Sequence, residues 1–117
     1  MNNIKEKLNE INSLVLSGKM LDAFDKHYHD EVVMQENSSP SVAGKAANRE
    51  REIEFLSNIT DFRGAKVLDI AIGDNVSFVK WEYDYTHKQW GDRNYTQVSV
   101  QHWEDGKIIR EQFFYGN

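Results

Sequence analysis

Cysteine and proline are nearly absent from this sequence of 117 residues, which contains no Cys and one Pro. Without Cys there is no disulfide framework, thiolate nucleophile or Cys-bound zinc site. One Pro and seven Gly are too few for a disordered or low-complexity chain. No apolar run approaches the ~20 residues of a membrane span, and the N-terminal residues carry charges where a secretory signal is apolar. These absences predict a cytoplasmic protein without membrane contact.

Positive charge is also scarce. Fourteen Lys and Arg stand against 19 Asp and Glu, for a formal net charge of -5, and neither half of the chain is basic. Nucleic acids and anionic membranes bind positive surfaces, so neither is an expected partner. The length favours a single domain over residues 1–117 with one core.

Aromatic residues are plentiful and unevenly placed. Of the 14 Phe, Trp and Tyr residues, ten lie between Phe78 and Tyr115. Trp81, Tyr83 and Tyr85 alternate with charged residues and therefore share one face of a predicted strand. Which face they occupy does not follow from the sequence.

The first half of the chain has helical periodicity. Apolar residues at helical spacing predict a first helix over 4–15, with Gly18 as its stop signal, and a second helix from about Lys19. β-branched residues then indicate a short strand over 32–35. A third helix is predicted from about Gly44 to Ser57, where Ala46, Arg49, Ile53 and Leu56 recur at helical spacing.

After Asp61 the period changes to two. Residues 65–72, 76–87, 94–103 and 107–115 are predicted strands separated by turns. Three helices followed by an antiparallel meander is an α+β layout with the helices packed on one face of the sheet.

Three motifs resemble the nuclear transport factor 2-like superfamily, in particular its SnoaL-like branch. His27 to Met34 is similar to the segment after the family's second helix, Val42 to Ala47 to the opening of its third helix, and Trp103 to Ile109 to its last hairpin. The resemblance covers nearly the whole chain. It implies a cone-shaped α+β barrel around a cavity and a homodimer through the outer face of the sheet.

In the ketosteroid isomerases of this superfamily a carboxylate base follows the first strand, and the matching position here is Glu36. A carboxylate facing an apolar cone becomes a better base as it is desolvated. The alternative is a solvated loop Glu. In the isomerases a protonated Asp stabilises the oxyanion, but the matching position here is near Ser99, a weaker donor, with Gln101 as a neighbouring donor. The isomerases' Tyr of the first helix also has no counterpart. These two departures argue against steroid isomerisation.

The resemblance also places Glu111 where polyketide cyclases carry a His on the last strand. Glu36 and Glu111 are therefore the candidate catalytic residues, since two carboxyls in different environments can divide acid and base roles. Alternatively, Glu111 pairs with an Arg, such as Arg110, at a rim or dimer seam. The predicted ligand-binding residues are Tyr28, Met34, Ser99, Gln101, Trp103, Phe113 and Tyr115.

No metal or organic cofactor is expected. His27 and His29 lack a third ligand at suitable spacing, and His102 shares a predicted outer face with Val98 and Val100. Three interpretations stay open. The preferred interpretation is a dimer that binds a small apolar or semi-polar molecule without catalysis. The second is a cofactor-independent isomerase, cyclase or dehydratase. The third is a purely structural dimer.

Overall fold

The structure is a computed structural model that describes residues 3–116. The elements in chain order are α1 Ile4–Leu16, α2 Met20–His27, β1 Tyr28–Glu36, β2 Val42–Ala43, α3 Lys45–Ser57, β3 Ile59–Gly73, β4 Val76–His87, β5 Gly91–Glu104 and β6 Lys107–Tyr115. The predicted sequence of three helices and a C-terminal meander is confirmed. The helices, β4 and β6 agree with their predicted bounds to within a residue or two.

The other strands depart from prediction. β1 begins at Tyr28, four residues early, and β3 begins at Ile59. Most of β3 is exposed, so hydrophobic alternation marks only part of it, and backbone pairing to β4 defines the rest. The two-residue strand β2 was not predicted.

The strands form one six-stranded sheet in the order β2-β1-β6-β5-β4-β3. Pairs from β3 to β6 are antiparallel, as predicted, but β1 runs parallel to β6, so the sheet is mixed. The sheet is open, because within residues 3–116 its first and last strands do not pair. A parallel neighbour needs a long connection, and here most of the chain separates β1 from β6.

Two turns carry the motifs that identified the fold. Asp105 and Gly106 both have positive φ, 54° and 76°, between the paired Glu104 and Lys107. This is the two-residue hairpin turn whose twist matches that of the strands. Gly44 precedes α3 with φ 96°, in the region that favours glycine, and its N–H donates to the Val32 carbonyl at 2.8 Å.

The two faces of the sheet differ. On β4 the inward residues Val79, Trp81 and Tyr85 are buried beneath the helices, and Leu8 of α1 packs against the first two. The alternate residues face away from the helices, among them Phe78, which is 40% exposed. No helix in the described part of the chain is long and apolar enough to cross a membrane.

One buried side chain joins α3 to the first strands. Asn48 is 3% exposed, and its Nδ2 donates to the carbonyls of Val42 at 3.0 Å, Gly44 at 2.8 Å and Val32 at 3.3 Å. The amide therefore fixes the helix that covers the cavity to the sheet edge.

We expect Asn48→Ala to lower the free energy of unfolding by about 2 kcal/mol, because it removes the three hydrogen bonds that this buried amide donates. Urea unfolding measures the change. Asn9→Ala, at an exposed position of α1, is the matched control and should change stability by less than about 0.5 kcal/mol. Equal effects of the two substitutions would contradict the assignment.

Candidate functional site

A cavity of about 720 Å³ lies between the helices and the inner face of the sheet. Its volume falls within the usual range for sites that bind small organic molecules. Side chains of all three helices and of strands β1, β3, β4, β5 and β6 line it. Phe62 and Trp90, which are 51% and 54% exposed, mark the solvent side.

Strand register arranges the floor of the cavity in rows. Glu111 pairs with Gln101 on one side and Met34 on the other, while Phe113 pairs with Ser99 and Glu36. Residues that pair across neighbouring strands point to the same face. The predicted candidates on β1, β5 and β6 therefore share the inner face.

Glu111 is the deepest carboxyl of the cavity, 3% exposed. The Tyr28 hydroxyl donates to its Oε1, and Gln101 Nε2 donates to its Oε2 at 3.0 Å. Burial raises the pKa of Glu111 to about 7, although the two hydrogen bonds act in the opposite direction. Among the described residues Glu111 forms no ion pair with an arginine, and Arg110 donates to Gln35 instead.

A buried chain of hydrogen bonds fixes the orientation of Gln101. Trp103 Nε1 donates to Ser77 Oγ at 2.9 Å, and Ser77 Oγ donates to Gln101 Oε1 at 2.6 Å. An indole N–H only donates, so the hydroxyl proton of Ser77 is free for Gln101, whose N–H₂ must then face Glu111. These hydrogen bonds thus orient the Gln101 amide so that it donates to the carboxyl of Glu111.

Glu52 of α3 is a second carboxyl of the cavity, and the sequence analysis missed it. Burial is the main cause that raises its pKa to about 7, followed by the charges of Glu111 and Glu36, while Arg51 opposes the shift. Within residues 3–116 it forms no hydrogen bond or ion pair. Glu52 is spaced by four from Asn48 and by three from Phe55, and this stripe, which also lines the cavity, was the available signal.

Glu36 lies at the end of β1, as predicted, and lines the cavity at a more exposed place. Its side chain is 42% exposed and forms an ion pair with Arg51 at 3.2 Å. The Tyr115 hydroxyl donates to its other oxygen at 2.5 Å. Glu36 is therefore a paired carboxylate near solvent, in contrast to the desolvated base that the sequence suggested.

Aromatic rings form one wall of the cavity, and they settle the face of the aromatic row on β4. Trp81, Tyr83 and Tyr85 all point inward. Trp81 stacks on Tyr83 with centroids 5.4 Å apart, and the hydroxyls of Tyr85 and Tyr95 are 2.7 Å apart. The hydroxyl of Tyr83 has no hydrogen bond to any described residue, and burial raises its pKa.

Of the predicted site residues, all but Trp103 line the cavity. Trp103 instead belongs to the core cluster with Ile4, Ile11 and Phe24. It reaches Glu111 only through Ser77 and Gln101, so the structure gives it a positioning role in place of a ligand contact.

Three of the four histidines, His27, His29 and His102, do not line the cavity, whereas His87 does. His27 ends α2 and bonds to Glu10 at 2.5 Å, whereas His29 lies on β1. A metal-like group of His29, Glu104 and Asp105 has ligand atoms within 4.8 Å of one another, but its residues do not line the cavity. His102 is exposed on the outer face of β5.

Comparison with known proteins identifies the family to which this fold belongs. The model of the SnoaL-like domain matches residues 2–115. The chain therefore belongs to the SnoaL-like family of the nuclear transport factor 2-like superfamily. No curated protein matches the sequence significantly.

Solved structures extend the likeness at the level of the fold. A Mesorhizobium loti protein described as a SnoaL-like polyketide cyclase is 22% identical with a TM-score of 0.86, over 96% of this chain and 98% of its own. A Xanthomonas campestris protein of unknown function with a cystatin-like fold is 15% identical with a TM-score of 0.85, over 100% and 92%. At these identities the likeness shows the cone-shaped α+β fold, not a shared reaction.

The raised pKa of Glu111 makes stability depend on pH. Between pH 4.5 and 7 the folded protein keeps a proton on Glu111 that the unfolded chain has released. The contribution of Glu111 to stability is therefore full below pH 4.5, falls as pH rises, and is lost above about 7, a change of roughly 3 kcal/mol. Glu52 adds a change of the same sign.

Glu111→Gln mimics the protonated side chain. We therefore expect it to remove roughly half of the combined pH dependence of stability that Glu111 and Glu52 produce. Urea unfolding between pH 4.5 and 8 measures it. Glu104→Gln, on the exposed hairpin, should leave the wild-type slope unchanged. A wild-type slope in the Glu111 variant would contradict a buried carboxyl with a raised pKa.

Proposed function

We propose that this protein binds a small organic molecule in the cavity and catalyses a proton transfer on it with its own carboxyl groups. The observation that carries the proposal is that Glu52 and Glu111, both with pKa near 7, face one cavity. General acids and bases work best when their pKa lies near the working pH.

The two carboxyls have different surroundings, which supports different roles. Glu111 receives two donors, whereas Glu52 has no partner among the described residues. The charge of Glu111 raises the pKa of Glu52, so the two carboxyls titrate as a coupled pair. Near neutral pH the pair therefore holds about one proton, the condition for one base and one acid.

Glu52 is the proposed base, since its free carboxylate can take a proton from a carbon next to a carbonyl. Glu111 in its protonated form donates to the Tyr28 oxygen, which frees the Tyr28 hydroxyl proton to bond to the substrate oxygen where charge develops. The proton then returns to a neighbouring carbon or leaves with a hydroxyl group. Isomerisation, cyclisation and dehydration all use these steps.

Glu36 stands as the alternative base. Its ion pair with Arg51 and its exposure favour a role at the entrance. Experiment can separate the three carboxyls without knowledge of the natural substrate.

We expect the protein to accelerate the base-catalysed ring opening of 5-nitrobenzisoxazole, in which a base removes the C3 proton and the N–O bond breaks. The rate should rise with pH around 7. Glu52→Gln should lower kcat/KM about 100-fold. Glu111→Gln should lower kcat/KM less than Glu52→Gln does, because the Gln amide can still donate to the Tyr28 oxygen, and should move the inflection to lower pH, because the charge of Glu111 raises the pKa of Glu52.

If Glu52 is not the base, Glu36→Gln tests whether Glu36 is. An unchanged rate in the Glu52 variant with loss in the Glu36 variant would transfer the role to Glu36. Glu104→Gln is the control outside the cavity. Binding of the probe without acceleration would instead support the non-catalytic ligand-binding interpretation.

The proposed assembly is a homodimer through the outer face of the sheet. Phe78 pairs with Val100, and Phe114 pairs with Val98, so these apolar residues lie together on that face. Phe78 and Phe114 are 40% and 44% exposed. Such an apolar patch on a folded subunit is typical of a protein interface.

Light scattering should give a mass close to twice 13.7 kDa at micromolar concentration. Phe114→Glu should shift the protein to a monomer, because it places a charge in the apolar interface. Leu16→Glu alters an exposed apolar residue away from the sheet, on α1, and should stay dimeric. A monomeric wild type would overturn the assignment of the outer face.

A further inference from the structure

The buried side-chain polar atoms of the described chain that lack hydrogen-bond partners belong to two residues that line the cavity. Among the described residues three buried side-chain nitrogen or oxygen atoms have no hydrogen-bond partner: Nδ2 and Oδ1 of Asn12 and Nε of Arg93. Both residues line the cavity. An unpaired buried polar group costs about 1–3 kcal/mol, and such groups are rare enough in folded proteins that each needs an explanation, such as a functional role or a bound partner.

Asn12 lies on α1 between the cavity residues Ile11 and Val15. It is 6% exposed, so its amide is shielded from solvent and lies in the interior of the fold. A side-chain amide has two N–H donors and a carbonyl acceptor. Its complement is a neutral group that both donates and accepts, such as an amide or a hydroxyl.

Arg93 lies on β5, in the row of Tyr85. Its guanidinium carbon is 5.0 Å from the centroid of the Tyr95 ring, which holds the planar group in place. Within residues 3–116 the guanidinium forms no ion pair, whereas the neighbouring cavity cation Arg51 is paired with Glu36. Its complement is an oxygen acceptor, and a carboxylate also matches its charge.

We propose that the ligand of this cavity is a small organic acid whose carboxylate pairs with Arg93 and whose neutral hydrogen-bonding group pairs with Asn12. The inference rests on the proposed function in that it takes this cavity as the binding site. It adds the class of ligand and the two residues that recognise it. The remaining surface of the ligand is apolar or aromatic, because it lies against the rings of Trp81, Tyr83 and Tyr95.

The role of Arg93 is tested with two probes that share one ring system, the anion naphthalene-2-carboxylate and its neutral methyl ester. Calorimetry at pH 7 should show the wild type binding the carboxylate about tenfold more tightly. Arg93→Gln should abolish this preference and keep the affinity for the ester. Arg63→Gln removes an exposed arginine paired with Asp84 and should retain the preference.

Two other outcomes are distinguishable. If Arg93→Gln retains the preference, the recognition by Arg93 is wrong while the cavity still binds ligands. If the wild type binds neither probe, ligand binding in the cavity fails together with this inference.

The role of Asn12 is tested by stability and affinity together. Asn12→Leu should raise the Tm of the free protein by about 3 °C, because it replaces an unpaired buried amide with an apolar group. The same variant should bind naphthalene-2-carboxamide about fivefold more weakly. Asn9→Leu, exposed on the same helix, should change neither value, and a lower Tm for Asn12→Leu would show a structural amide and overturn its recognition role.

Discussion

The burial of the Glu111 carboxyl is the constraint on which the site depends. Burying a carboxyl is less costly when donors reach it, and here they are the Tyr28 hydroxyl and the Gln101 amide. The direction of the Gln101 amide is set in turn by Ser77 on β4 and by the indole of Trp103. Register is therefore decisive, since a slip of one residue in β5 or β6 would turn Gln101 or Glu111 to the outer face.

The same cavity holds groups that the fold leaves unpaired. The Asn12 amide and Nε of Arg93 are buried and have no hydrogen-bond partner among the described residues. Folding would be more favourable with apolar residues at such positions, so these groups carry a stability cost. Hydrophobic packing elsewhere, as in the cluster around Phe24, offsets it.

The clustering of aromatic residues toward the C-terminal half follows from the two faces of the meander. Inward rings such as Trp81 and Tyr95 line the cavity and contact one another. Outward rings, Phe78 and Phe114, remain exposed on the subunit. Alternation along each strand therefore assigns neighbouring aromatic residues to different surfaces.

The sequence by itself determined the three helices and the meander, because periods of 3.6 and two are local properties of the chain, whereas the inward direction of Glu111 followed only from the strand register of the structure. Resemblance supplied the family and the position of Glu36. The tertiary structure alone decided the parallel pairing of β1 with β6 and the roles of Glu52, Asn12 and Arg93. Polar residues that face a cavity show the same periodicity as polar residues that face solvent, so only the packing of α1, α3 and β5 around a common space distinguishes them.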